Sequence, residues 1–551
     1  CIRDRSTTTS LGRRMGTAAL IVSAGVLISR ILGQLREIIF ASLLGATATT
    51  DEYVAAFAIP DFLNYLLAGG FLSITFIPIL SRYLAHDDEE GGWEALSAII
   101  RPVALGIVGL VAIGWVIAPQ VIDLLFPRFS PEQIENTIRY TRIILPAQVF
   151  FVLGALFAAV QYTKGVFTIP TLAPIIYNLG IIIGGLGWAI AGDASPEGFI
   201  WGALAGAFIG NFALQWWGAH RVGMRLKLRI PWRHPVLKEY LLIAFPLMIG
   251  QSIVVLDETF MRVFGQFVSE GAATELNYAR RTMLVPVGII AQAAGVAAYP
   301  FLARLFAEGR IVEMRDSVDR ALRWVIVLSM GATGLVAAMT VPIVRALFER
   351  GEFTAESTVG TASALFFYAL AIPIWGGLQI LNRAFYARRE MWTPVVVGTA
   401  ATIAAIPLYV ILQSTFGLRG VAFASTAALG VYTGILAAVW YGEDDGPHRF
   451  RVLAAQVGRA VPLAVIGGLA AFAAASGLAA VLDFTTTSSI LATALSVLIV
   501  LVGTAIFLAV AIALGSLLHD WLYGRDVPQE HAEGSAGPTE VEQPTLDPAD
   551  D

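Results

Sequence analysis

Several charged side chains of this chain sit inside apolar stretches, at spacings that suit binding of an anion. The segment Ser29-Arg30-Ile31-Leu32-Gly33-Gln34-Leu35-Arg36-Glu37 sets two guanidiniums and a carboxylate into an otherwise apolar run. Further on, Asp51-Glu52 precedes Asp61 and Asn64, Asp257-Glu258 precedes Arg262, and Asn277 precedes Arg280-Arg281. On a helix Arg30 and Glu37 share one face, Arg36 stands about 120° round from Arg30, and Asn277 and Arg281 share a face. An Arg holds a phosphate through two parallel hydrogen bonds, so fixed guanidiniums around one space suit a phosphate-bearing ligand. A site for cationic drugs would present mainly Asp and Glu. Charge pairing is the competing explanation, with Arg36 on Glu37 and Arg262 on Asp257 or Glu258. For Arg139 and Arg142, in the first turns of another apolar run, it is snorkelling to the interface. Arg281 has no acid three or four residues away on its own helix.

The elements that must position these groups follow from composition. Of 551 residues 57% are hydrophobic and 14% charged, with a mean hydropathy of +0.72. Soluble proteins carry about 25% charged residues, so this chain lacks the charge to cover a water-facing surface. A soluble enzyme and a disordered scaffold are thereby excluded. The net charge of −5 argues against nucleic acid as a partner. A single Cys, Cys1, rules out a disulfide framework and a Cys-based metal site, and no other metal site is expected. The last 27 residues carry eight acids against one Arg, leaving the rest of the chain at +2. This Pro- and Gly-rich stretch, 525–551, reads as a disordered acidic tail.

About 20 apolar residues cross a bilayer. Fourteen such runs are expected, near 16–44, 51–84, 95–118, 134–161, 168–191, 198–219, 239–268, 272–303, 321–348, 357–385, 393–416, 418–441, 453–481 and 488–519. Each intramembrane Arg, Lys or Asp costs about 2.5–3.5 kcal/mol on insertion scales, and the charged positions fall chiefly on the first, second, seventh and eighth runs. Arg3, Arg5, Arg13 and Arg14 lead into a long span rather than a short apolar segment with a cleavage site, so no cleaved leader is expected. The 220–238 connection holds six Lys and Arg and no acid, whereas 45–50 and 192–197 hold no base. The positive-inside rule then puts the basic loops and both termini in the cytoplasm.

The halves match at a nearly constant offset. Arg36 and Pro60 correspond to Arg262 and Pro286 at 226, Pro78 and Arg82 to Pro300 and Arg304 at 222, and Glu132 and Tyr162 to Glu356 and Tyr386 at 224. Ser130 and Thr354 stand as N-caps before the matched acids. Six spans per repeat give both copies one orientation, an architecture of transporters whose bundles rock around a midplane site. The divisions are a cytoplasmic N-terminus 1–15, a six-helix bundle 16–221, a basic linker 222–238, a second bundle 239–441, and an appended pair 453–519. No phosphate-binding G-x-x-x-x-G-K-[ST] and no H-E-x-x-H is present, and no loop exceeds about twenty residues. An enzyme, such as a membrane glycosyltransferase needing an acid on a sizeable loop, is therefore not expected.

Four stretches give the chain a family resemblance. Ser29, Arg30, Gly33, Arg36 and Glu37 fit S-R-x-x-G-x-x-R-[DE], with Asp51 following; Leu276-Asn277-Tyr278-Ala279-Arg280-Arg281 fits a Y-A-x-R motif. LFERGEF at 347–353 and AFYARREMWTP at 384–394 complete the set. Together they resemble the MurJ (MviN) family of lipid II flippases, in the superfamily that holds multidrug and polysaccharide exporters. The resemblance implies an all-α polytopic fold of two parallel MATE-like bundles plus two C-terminal helices. It implies a bacterial plasma-membrane protein that flips lipid II, the lipid-linked peptidoglycan precursor, from inner to outer leaflet by alternating access. Substrate-binding arginines would be Arg30, Arg36 and Arg281, with Gly33, Glu37, Asp51, Asp61, Asn64 and Asn277 supporting the cavity. The last two spans would line a groove for the polyprenyl tail, among membrane lipids. No cofactor is implied; the membrane potential or an ion gradient is the candidate energy source, Asp257 the candidate ion-coupling residue, and cell-wall synthesis enzymes candidate partners. The chain departs from the family pattern at Asn64 and Tyr65, where many members carry paired bases, and at Leu284, where some carry an acid. The span at 393–416 offers no Asp or Asn to join Asp257. An exporter of another polyprenyl-pyrophosphate-linked oligosaccharide and a drug-type antiporter are the alternatives.

Overall fold

The computed structural model describes residues 4–67, 71–227, 234–442, 445–482 and 489–517; the acidic tail at 525–551 lies outside them. Among the described residues the chain is helical throughout, without a strand. The first half runs α1 (Asp4–Leu44), α2 (Ala48–Ala56), α3 (Ala58–Leu67), α4 (Phe71–Ala85), α5 (Glu89–Leu125), α6 (Pro131–Ile144), α7 (Ala147–Thr163), α8 (Thr168–Ile190), α9 (Pro196–Gly206), a π-helical turn (Ala207–Ala213) and α10 (Leu214–Arg221). The second half runs α11 (Pro235–Gly265), α12 (Ala272–Ala307), α13 (Ile311–Ala338), α14 (Thr340–Phe348), α15 (Ala355–Ala369), α16 (Ile372–Ala387), α17 (Trp392–Ala404) and α18 (Ile406–Trp440). The appended pair is α19 (Gly446–Val481) and α20 (Ser489–Leu517).

Each expected crossing coincides with a helix or a broken helix. By length and apolar composition eight described segments can cross a membrane, nine if the bent pair α15–α16 is one span. One of them, Trp392–Trp440, is 49 residues long, about 74 Å at 1.5 Å per residue and too long for a single crossing. Within it Gly417 (φ 56°, ψ −129°) breaks the helix at the turn expected between the eleventh and twelfth spans. Only a residue without Cβ adopts that conformation cheaply. The helices carrying most of the intramembrane charge, α1, α2–α4, α11 and α12, lie outside the count.

The run at 51–84 is not the continuous helix its composition suggests. It is broken at Phe57, so Asp51 and Asp61 sit near the starts of two separate helices. The run at 134–161 divides at Leu145-Pro146, because proline cannot donate the next helical hydrogen bond. In the second repeat the matching break falls between α15 and α16, which meet at 44°. Ser130 and Thr354 cap α6 and α15, accepting from the amides of Gln133 and Ser357, both at 3.2 Å. The structure thus carries the internal repeat into the positions of caps and bends. The two terminal helices pack on each other and on α13 and α14, around Met339, Ala471, Ile499 and Phe507.

Without a hydrophobic drive between helices in lipid, close packing must come from small residues. Gly180 and Gly184 on α8 face Gly198, Gly202 and Gly206 on α9, each set spaced by four. A Cβ on Gly202 would lie 2.4 Å from the Gly180 carbonyl oxygen, and one on Gly184 2.4 Å from that of Gly198. We predict that Gly202→Val lowers the apparent unfolding temperature of the detergent-purified protein by several degrees, a cost of about 1–3 kcal/mol. Gly187→Ala, where an added Cβ meets nothing within 4 Å, should leave it within a degree. Equal behaviour of the two variants would show that the seam is not under tight contact.

Candidate functional site

The intramembrane charges gather where the two halves meet, in two linked groups. In the first, the Glu37 carboxylate on α1 lies between Arg36, at 2.5 Å, and Arg281 of α12, at 3.2 Å. Arg281 also donates to Asn277 Oδ1 at 3.2 Å, one turn back on α12. Glu37 and Arg36 are largely buried, with side chains 9% and 13% exposed, whereas Arg281 is 45% exposed. The guanidinium of Arg281 is therefore the accessible member of this group, about 14 Å from the start of its helix. Its neighbours along that face of α12, Val285 and Ile289, are exposed as well.

Arg36 is oriented by a residue that sequence reasoning passed over. Asn178 of α8 accepts from Arg36 Nη1 at 3.1 Å and donates to the Ser29 carbonyl and hydroxyl, both at 3.3 Å. Gly33 lies opposite Asn178 in ordinary contact, so the small residue of the motif keeps α1 close to α8. The available signal was a lone Asn in an apolar span, an expensive group in lipid. Arg30 reaches across to α12: a Cβ on Gly288 would fall 1.7 Å from Arg30 Nη1. Gly288 thus leaves the room that the Arg30 head occupies, two turns along from Arg281.

The second group runs from Asp61 on α3 to Arg262 of α11 at 2.5 Å. Glu258 lies 3.8 Å from Arg262 and pairs with Arg280 of α12, which reaches Asp257 at 3.3 Å. Of the two expected partners of Arg262, Glu258 is within ion-pair distance, while Asp257 pairs with Arg280 instead. The close partner of Arg262 is Asp61 from the other half, because the break after Phe57 turns α3 onto α11. Asp257 accepts from Tyr409 Oη at 2.7 Å and Ser425 Oγ at 2.8 Å on α18, beside a small cavity of about 50 Å³. Hydroxyls, not carboxylates, meet it there. Among the described residues no three His, Cys, Asp or Glu converge on a metal-sized site.

Two of the expected cavity residues are elsewhere. Asp51 is 2% exposed and accepts from the Gly271 and Thr274 amides at 2.8 Å and the Thr274 hydroxyl at 2.7 Å. It caps α12 from the opposite half, because the short turn after α1 points α2 at the unpaired amides of a helix start. Glu352 N donating to Ser42 O at 3.0 Å and Tyr278 Oη to Gly45 O at 3.2 Å join the halves at this same, base-poor end. Asn64 faces a separate space of about 330 Å³ inside the first half, with Val22, Asn211 and Gln215. At the base-rich end the halves meet through the exposed pair Arg82–Glu239 at 2.8 Å. The arrangement is closed at the base-poor end.

Counted together, four arginines (36, 262, 280, 281) face four acids (37, 61, 257, 258), and Arg30 adds a positive charge. The site is less cationic than the arginines alone suggest, and of the four arginines in these ion pairs Arg281 is the most exposed. An apolar groove of about 870 Å³ lies apart from it, between α13–α15 and α19–α20, lined by Gly334, Ala337, Leu370, Val465, Leu469 and Phe472.

Two helical bundles closing on buried ion pairs, with an appended helix pair, define a multi-pass membrane transporter of the exporter type. Its fold matches a solved structure described as an inward-facing MATE family transporter of the MOP superfamily, with a TM-score of 0.63 and 16% identity over 79% of this chain and 99% of that one. The chain belongs to the lipid II flippase MurJ family, whose sequence model matches residues 40–489. A "Probable lipid II flippase MurJ" of Rhizobium meliloti (strain 1021) is 27% identical over 505 residues, 90% of this chain and 93% of that protein. The "Lipid II flippase MurJ" of Burkholderia cenocepacia is 27% identical over 395 residues, 70% and 76% of the two chains. A solved "Lipid II flippase MurJ, inward closed conformation" superposes with a TM-score of 0.71 at 22% identity, covering 91% of this chain and all of that one.

Among the described residues Arg262 Nε and Nη1 are buried without partners, and the close contact of this guanidinium is Asp61, with Glu258 farther off at 3.8 Å. Removing one partner of a buried pair strands the other charge. We expect Asp61→Asn to cost about 3 kcal/mol, read as a fall of several degrees in apparent unfolding temperature. The Asp61→Leu/Arg262→Met double variant should recover most of the loss. Additive losses in the double variant would contradict the pairing.

Proposed function

We propose that the protein carries lipid II from the inner to the outer leaflet of the bacterial plasma membrane, with both termini in the cytoplasm. The supporting observation is the Arg36–Glu37–Arg281 group: a partly exposed guanidinium in mid-membrane, held by a carboxylate from the opposite half. A diphosphate entering between the halves offers Arg281 and Arg36 a stronger, bidentate partner than Glu37. Glu37 then serves as the internal counter-anion that the ligand displaces and that reclaims the arginines after release. Arg30, in the gap left by Gly288, brings a further guanidinium to the same junction. Asn178 and Asn277 hold Arg36 and Arg281 in position.

Alternation follows from where the halves are joined. The Asp51 cap and the Ser42–Glu352 contact close the base-poor end, which the positive-inside rule places outside the cell. Opening that end exchanges these hydrogen bonds for water while the charged groups reform around the ligand. The polyprenyl tail, too apolar to enter a charged site, lies in the groove between α13–α15 and α19–α20. The membrane potential or an ion gradient drives the cycle; at 100 mV each charge moved across the membrane is worth about 2.3 kcal/mol. Enzymes that consume lipid II at the outer surface are the partners this delivery serves.

Arg30→Ala, Arg36→Ala and Arg281→Ala should each insert normally yet fail to support growth of cells depleted of their own flippase. In such cells lipid II should accumulate on the inner leaflet. Growth with all three variants would move the binding site elsewhere, and normal cell-wall synthesis on depletion would remove the proposed activity.

A further inference from the structure

A second charged groove lies on the membrane-facing side of the first half, away from the space between the halves. It has a volume of about 820 Å³ and is formed by α5, α6 and α9. Its floor is apolar, with Pro119, Ile134, Ile138 and Leu204, and two exposed tryptophans, Trp115 and Trp201, flank it. Arg142, on α6, has an unusual setting for a guanidinium inside a crossing. Its Nε donates to the Trp115 carbonyl at 3.2 Å and its Cζ lies 4.3 Å from the Trp115 ring centroid. Those are its only side-chain partners among the described residues, so both terminal nitrogens are left without an acceptor. Arg139, one turn away, is neutralised by Glu197 at 2.5 Å, which also accepts from Trp201 Nε1 at 3.2 Å. Glu135, on the same face of α6 and two turns before Arg142, has no base within ion-pair distance among the described residues.

The groove therefore offers one uncompensated positive group and one uncompensated negative group, in a fixed order. With the orientation proposed above, α6 starts at the outer surface. Arg142 lies eleven residues inside it, about 16 Å by rise. Its side chain tilts back toward the helix start, which brings the head up to the headgroup zone. Glu135 is about 10 Å nearer the outer surface by the same rise. A lipid headgroup bearing a phosphate with a primary ammonium beyond it presents its charges in that order along the membrane normal.

We propose that this groove is a binding site for an aminophospholipid of the outer leaflet. The phosphate takes the free nitrogens of Arg142, the ammonium takes Glu135, and an acyl chain runs inward past Ile143 and Pro146, which line the groove beyond Arg142. The stacking on Trp115 fixes the guanidinium plane so that its terminal nitrogens face the groove. This site is separate from the Arg36–Glu37–Arg281 group and does not depend on it.

Native mass spectrometry of the full chain, released from nanodiscs holding equal amounts of phosphatidylethanolamine and phosphatidylglycerol, tests the assignment. The wild type should retain one phosphatidylethanolamine in preference to phosphatidylglycerol. Arg142→Gln should weaken retention of both about tenfold, and Glu135→Gln should abolish the preference while still binding phosphate. The preference is an internal ratio, so it is read on whatever fraction of a variant folds; if Arg142→Gln yields no protein, Arg142→Lys should bind with the preference kept. Lipid II transport should be unchanged in Glu135→Gln. Unaltered retention in Arg142→Gln, or an unaltered ratio in Glu135→Gln, would overturn the proposal. Displacement of phosphatidylethanolamine by lipid II at low molar ratio would reassign the groove to the transported lipid, and it too would overturn it.

Discussion

The Glu37 carboxylate sits between Arg36 and Arg281, and much of the site's geometry answers to that contact. A charge in the middle of a bilayer needs a partner, and here the partner is drawn from the other half of the molecule. The same holds for Arg262, whose buried head is met by Asp61 across the junction. Electrostatic satisfaction is therefore a property of the two halves together. Moving them apart uncovers charges that water or an anion must then satisfy, which ties the conformational cycle to occupancy of the site.

The remaining architecture supports that junction in different ways at its different levels. The helix break at Phe57 turns α3 so that Asp61 and the second half can meet. Gly33 lets α1 lie close enough to α8 for Asn178 to reach both Ser29 and Arg36. At the base-poor end the fastening is made of neutral amides on a buried carboxylate, Asp51. Those bonds are exchangeable for water when the end opens, so closing it does not require a new ion pair.

The all-helical membrane character, the caps at Ser130 and Thr354, and the pairing of Arg281 with Asn277 were legible because each depends on composition or local spacing along one helix. The relation of Arg36 to Glu37 was legible for the same reason. What depends on long-range approach was not. Nothing in the spacing tells that Asp51 will cap α12 rather than line the cavity, since that follows from a turn aiming one helix start at another. Arg262 reaches Asp61 only because α3 is broken off from α2, and composition around Phe57 does not announce a break. Gly288 and Asn178 are invisible as site residues until the neighbouring helix supplies Arg30 and Arg36. Asp257 was singled out for its charge, yet beside Arg280 its environment is set by Tyr409 and Ser425, two hydroxyls in spans whose single charge, Arg419, lies at a span end.

The central claim is that Glu37 and the diphosphate compete for the same two guanidiniums. Its most direct test is the equilibrium affinity of the purified protein for lipid II, compared between wild type and Glu37→Gln. The substitution keeps the side-chain shape and removes the competing charge. The account predicts that Glu37→Gln binds lipid II several-fold more tightly while transporting it more slowly, because release loses its driving partner. Weaker or unchanged binding in Glu37→Gln would contradict it.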